Sequence, residues 1–203
     1  MKLYHSQSSP FVRKIKLAAH VLGFVGELEL VDTNTMDTND PIRLVNPLGK
    51  IPALKDGSSL LYDSRVIIEY LDSKAGGGKL IPKAGVARFE TLTRAALMDG
   101  IMDAAILVVY EGRMRPEDKY VESFVTYQRE KIQRGLEVAA ASSPKYCNGA
   151  MPDAGEIGLA CVLDYLDFRQ QLNWRDHAAN LHAWLADFAA AVPGYTETMP
   201  PSV

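Results

Sequence analysis

The sequence has 203 residues, 47% of them hydrophobic and 23% charged, with a formal net charge of -3 at pH 7 and a pI near 5.8. Those values suit one large or two small globular domains. They exclude a disordered chain and a strongly basic one built to bind nucleic acid. Lys2 to Tyr4 reads as a short strand. Val12, Ile15, Ala19 and Leu22 recur at helical spacing, and Gly23 is the expected stop. Glu27 to Val31 alternates as a second strand, Asp32 to Asp40 is loop, and Pro41 to Val45 is one helical turn. Ile51 to Leu54 and Ser59 to Tyr62 form a hairpin about Asp56-Gly57. Asp63 opens a helix carrying Val66, Ile67, Tyr70 and Leu71. The order β-α-β, loop, β-β-α predicts a mixed four-stranded sheet with helices.

The composition then changes. Residues 1–78 are read as the α/β domain, 79–86 as a linker following Gly76-Gly77-Gly78, and 87–203 as an all-helical domain. Leu97, Ile101, Ala105 and Val108 mark its first helix, and Val121, Val125, Ile132 and Leu136 its second. Leu159, Leu163 and Leu166 mark a third, and Leu181, Trp184, Leu185 and Phe188 a fourth. Cys161 falls in the apolar run of the third and reads as core. Cys161 and Cys147 alone make no disulfide framework, and no CxxC or Cys/His cluster has zinc spacing, so no metal is expected. The amino terminus lacks the apolar core of a signal peptide, and no stretch is apolar enough to span a bilayer. A cytoplasmic protein without membrane or nucleic-acid partners is expected.

Three constellations can carry chemistry, and each also has a purely structural role. Ser9-Pro10 is an N-cap and N1 pair at the start of the first helix. The same helix end favours an anion, and a hydroxyl there can donate to a thiolate. Asn46-Pro47-Leu48-Gly49-Lys50-Ile51-Pro52 reads as a fixed turn entering a strand. A cis bond before Pro52 would turn the Ile51 backbone outward to pair with an extended peptide, and Lys50 could meet a carboxylate. Asp63-Ser64 caps the next helix, and the pair could also hold the ammonium and carboxylate of an amino-acid head group. Together they describe a site for a short peptide with a thiol, an extended backbone and an α-amino-acid end. Glutathione has all three.

These residues, with Phe11 and Arg13, resemble the glutathione transferase superfamily. So do the run Asp153 to Arg169, with Asp153 and Glu156 as a capping box, and the ending Thr198-Met199-Pro200-Pro201. The nearest likeness is to small bacterial members with a Ser-Pro-Phe-Val-Arg-Lys start. The resemblance implies a thioredoxin-like first domain and a homodimer. It makes Ser9 the thiol-activating residue, with glutathione held by Phe11, Lys50, the main chain at Ile51-Pro52, Asp63 and Ser64. It places a small hydrophobic electrophile between the domains, against Met102, Ile106 and Tyr110, and suggests a role in detoxification. Gly155, inside the first turn of the capped helix, departs from the pattern at up to ~1 kcal/mol relative to alanine. Serine at position 9 cannot form the mixed disulfides of cysteine-bearing members. Ser6 and Ser8 leave open which hydroxyl meets the thiol, and His5 is read as structural. A glutathione-binding or regulatory protein without catalysis, or a glutathione-dependent isomerase or reductase, stand as alternatives.

Overall fold

The computed structural model describes residues 1–142, 146 and 150–201. Cys147 lies outside the described residues. The first half is a four-stranded sheet in the order β2-β1-β3-β4, made of β1 (Lys2–His5), β2 (Glu29–Asp32), β3 (Ala53–Asp56) and β4 (Ser59–Leu61). β1 and β2 are parallel; the other neighbours are antiparallel. The sheet is therefore mixed, as its element order predicts. Leu3 faces Leu54 in the β1–β3 register, and both are fully buried.

Three helices accompany the sheet: α1 (Pro10–Leu22), the short α2 (Ile42–Val45) and α3 (Ser64–Lys74). Ser9 caps α1 and Pro10 occupies its first turn; Gly23 ends it at φ 82, a left-handed conformation in which a Cβ would be strained. β3 begins two residues later than the sequence reading had it. Pro52 has no N–H to give a ladder, and pairing with β1 stops at Tyr4 and Ala53. β2 also starts later, because Val25–Glu27 forms a 3-10 turn.

The second half is helical: α4 (Gly85–Met114), α5 (Glu122–Ser142), α6 (Ala154–Arg169) and α7 (Leu181–Ala191). α4 begins inside the stretch read as linker. α6 has apolar residues on every side, and most of it is buried, packed against α1 and α4. Its capping box is complete: Asp153 N–H donates to Glu156 and Glu156 N–H to Asp153, both at 2.9 Å. Gly155 has a packing reason. A Cβ there would stand 2.9 Å from Arg94 Cβ, and one at Gly158 2.9 Å from Met98 Cβ. The small residues let α4 and α6 approach.

The segment joining the halves is packed down. The Asp72 carboxylate accepts from the N–H groups of Gly78 and Lys79 at 2.9 Å and of Leu80 at 2.7 Å. Leu80 and Ile81 are buried in one apolar core that runs through both halves. Asp72→Ala leaves these donors without their acceptor. The expected loss is about 3 kcal/mol, read as a lower urea midpoint; a change below about 0.5 kcal/mol would show that water replaces the carboxylate.

Candidate functional site

The fold gathers the three constellations at one end of the sheet, at the amino-terminal ends of α1 and α3 and before β3. Ser9 Oγ accepts the Val12 N–H at 3.3 Å. That bond uses a lone pair and leaves the hydroxyl hydrogen free to donate. Ser6 and Ser8 hydroxyls are 3.2 Å apart and bonded to each other. Of the three serines, Ser9 alone has its oxygen at the helix end.

Behind Ser9 is a cavity of about 10 Å³, the size of one water, lined by Ser8, Pro10, Arg13, Cys161 and Tyr165 among others. Burial pushes the Cys161 thiol up to about 12. Despite its closeness to Ser9, that sulfur is a core atom and no nucleophile at neutral pH.

The turn before β3 is built by Asn46, which is buried. Its side chain accepts from Leu48 N–H at 3.0 Å and donates to Lys50 C=O at 2.8 Å, and Gly49 closes the turn at φ 61. The Ile51–Pro52 bond is cis. Ile51 N–H and C=O have no hydrogen-bond partner among the described residues. Lys50 is exposed, Ile51 and Phe11 are half-buried, and Pro52 is buried.

Asp63 caps α3 by accepting Arg65 N–H at 2.9 Å; Asp63 is exposed, whereas Ser64 is buried. Arg65 leans over Asp63 and donates from Nε to Asp99 at 3.0 Å. Asp103, on α4, stands 3.8 Å from Arg65. Burial pushes the Asp103 carboxyl up, against the pull of Arg65 and Lys50.

On the α4 wall the three predicted residues part company. Met102 is fully buried in the core and presents no surface to a ligand. Ile106 is half-buried and Tyr110 is 41% exposed, so these two keep surface that Met102 lacks. Helical spacing shows that 102, 106 and 110 share a face, but not how far along it the neighbouring helices cover. His5 is buried, with Nε2 3.1 Å from Asp32. Burial pulls its pKa below the usual 6.5, so the ring is neutral at pH 7.

Two buried ion pairs lie directly behind the site, and sequence reasoning missed both. Arg13 meets Asp164 at 2.5 Å, and Tyr195 donates its hydroxyl to the same carboxylate at 2.7 Å. Lys14 meets Asp99 at 2.5 Å. Their signal was present: charged residues inside the apolar runs of α1, α4 and α6. A larger cavity of about 300 Å³ opens where α4 meets the start of α6, lined by Arg94, Met98, Asp153 and Trp184 among others; it touches none of the residues read as holding glutathione. Among the described residues, no group of three His, Cys, Asp or Glu is placed to hold a metal, and no helix is long and apolar enough to cross a membrane.

The chain as a whole matches known proteins. The profile for "Glutathione S-transferase, N-terminal domain" matches residues 3–79, and that for "Glutathione S-transferase, C-terminal domain" residues 90–187. The chain is 31% identical over 175 residues to the uncharacterized GST-like protein YibF of Escherichia coli, covering 84% of each. It is 40% identical to a glutathione transferase family member from Pseudomonas fluorescens Pf-5 solved with bound glutathione, with a TM-score of 0.87 and 99% of each chain covered. A second structure from that organism holds S-(propanoic acid)-glutathione; it superimposes with a TM-score of 0.85 at 40% identity over 100% of each chain.

Proposed function

The chain belongs to the glutathione S-transferase family, and on that premise we propose that it conjugates glutathione to a small electrophile, with Ser9 as the residue that activates the thiol. The observation that carries the reading is the state of the Ser9 hydroxyl. Its oxygen is committed to Val12 N–H and its hydrogen is free, at a helix end whose partial positive charge favours an anion.

A glutathione thiol has a pKa near ~8.5. Each ~1.4 kcal/mol by which the Ser9 hydroxyl and the α1 dipole favour the thiolate lowers it by one unit. The rest of the site would position the peptide. The open N–H and C=O of Ile51 pair with the cysteinyl backbone as an added strand would, Pro52 and Phe11 flank it, and Lys50 approaches the glycyl carboxylate. Asp63 accepts from the γ-glutamyl ammonium, and Ser64 with the N–H groups of α3 receives its carboxylate. The thiolate then attacks the electrophilic carbon, and the leaving group departs with the bonding pair. No oxidant or metal is called for. Ile106 and Tyr110 would wall the second substrate.

Glutathione bound in close relatives supports the peptide half of this reading. The exposed apolar side chains of Leu60, Val66, Val86 and Phe89 support a homodimer through the α3–α4 face. We further place the enzyme in the cytoplasm, in detoxification. The test is glutathione titration followed by thiolate ultraviolet absorbance against pH, with conjugation of 1-chloro-2,4-dinitrobenzene measured alongside. Bound thiolate at neutral pH and protein-dependent conjugation are expected. Binding without turnover on a broad electrophile panel would make the chain a glutathione-binding protein, and no binding would end the reading.

A further inference from the structure

The stretch of α4 that follows Tyr110 and the end of α6 bring two arginines to the second-substrate cleft. Gly155 lies against Arg94 and Gly158 against Met98. The two helices therefore run side by side in one direction, and at 1.5 Å per residue in both the same register sets Tyr165 beside Ala105 and Arg169 beside Val109. Arg113 lies one turn beyond Tyr110 on the same face. Tyr165 in turn lines the small cavity that touches Ser9. Arg113 and Arg169 thus stand at the open end of the wall on which Ile106 and Tyr110 sit.

Among the described residues neither has an anionic partner. On their own helices, the acid nearest each is taken: Glu111 by Arg115 at 2.8 Å and Asp167 by Arg175 at 2.8 Å. Among the described residues, Arg113 and Arg169 make no ion pair. Asp103, the nearest acid along the wall, is drawn to Arg65 and Lys50 on the glutathione side. Arg169 is held in place without neutralisation. Its guanidinium lies 4.2 Å from the Phe168 ring centroid and 5.4 Å from that of Tyr165. Its Nε is buried and lacks a hydrogen-bond partner. Burial pushes the Tyr165 hydroxyl up while Arg169 and Arg113 both pull against it.

A fixed, planar, unpaired guanidinium beside a second cation matches a carboxylate, which can accept two N–H bonds at once. We propose that Arg113 and Arg169 recognise a carboxylate on the second substrate, so that the electrophile taken by this enzyme is a small organic acid. The inference rests on the transferase reading of Ser9 and adds the charge of the substrate. Conjugation to an aryl chloride acid balances without further reactants: the thiolate adds at the ring carbon bearing chlorine, and chloride leaves with the bonding pair.

The experiment compares binding of S-(2-carboxyethyl)glutathione with that of the isosteric, uncharged S-(2-carbamoylethyl)glutathione by calorimetry. The wild type is expected to hold the carboxylate conjugate about tenfold more tightly. Arg113→Glu, at an exposed position, should abolish that preference; Arg169→Lys should keep part of it and Arg169→Met remove most of it. Affinity for glutathione should stay unchanged in all three. Equal affinity for the two conjugates in the wild type, or a preference that survives Arg113→Glu and Arg169→Met, would overturn the proposal. Turnover of the uncharged 1-chloro-2,4-dinitrobenzene separates the two readings. If it persists while the preference is absent, only the carboxylate site falls. If neither conjugate binds and nothing turns over, the transferase reading falls and takes this inference with it.

Discussion

Ser9→Ala is expected to lower kcat by roughly 10²-fold or more while glutathione affinity changes by no more than about threefold. The asymmetry follows from where the hydroxyl acts. The backbone at Ile51 and the α3 end hold the peptide whether its sulfur is protonated or not. The Ser9 hydrogen interacts more strongly with the thiolate than with the thiol, so its loss falls on the reactive species. The pH–rate profile should show it directly, because the thiolate absorbance of the bound peptide moves toward ~8.5, the value of a free thiol. A separate effect on folding accompanies this one. Val12 N–H loses its cap, at about 1 kcal/mol of stability. Ser9→Asn keeps an N-cap acceptor at a different reach, so it should restore stability without restoring kcat. Unchanged turnover in Ser9→Ala would remove Ser9 from the mechanism and turn attention to the bonded Ser6 and Ser8 pair.

What the sequence disclosed about this site is what short-range chemistry dictates. Ser9-Pro10, Asp63 and the Asp153–Glu156 box each act within about one helical turn, so spacing alone identifies them. The hairpin at Gly57, with φ 58, is equally local. The buried charges are the opposite case. Lys14 finds Asp99 across 85 residues and Arg13 finds Asp164 across 151. Nothing in the neighbourhood of either lysine or arginine says which acid it will meet. The burial of Met102 escaped the sequence for a related reason. A helix of 30 residues with α5 and α6 packed along it changes from buried to exposed along one face, and periodicity has no term for that. Pro52 is a middle case. The sequence places it inside a strand from Ile51 to Leu54, but pairing begins only at Ala53, and the stretch before it is the open backbone that the peptide would use.

Asp99→Ala is expected to cost about 3–5 kcal/mol, the largest stability loss among single changes near the site. Asp99 is 1% exposed and Lys14 2%. Removing the carboxylate strands an ammonium in the core, with water and acceptors both out of reach. Arg65, the other donor to Asp99, has a side chain that is 57% exposed and can turn to solvent, so Lys14 dominates the loss. Against a typical total of about 5–15 kcal/mol, the variant should unfold at a much lower urea midpoint. The sign of the cause is tested by Lys14→Met combined with Asp99→Leu. An apolar pair of similar volume avoids the desolvation of both charges, so the double variant should recover most of the loss. Recovery would establish that the pair is not needed for folding, and turnover of the recovered protein would then report what else it does. Lys14 belongs to the helix that carries Ser9, and Arg65 to the helix that Asp63 and Ser64 begin; Asp99 ties both to α4. If stability returns but kcat stays low with glutathione affinity reduced, the tie sets the spacing between the two helix ends. If both return, the ion pair is interchangeable with packing. A cost below about 1 kcal/mol for Asp99→Ala would mean that another acceptor reaches Lys14.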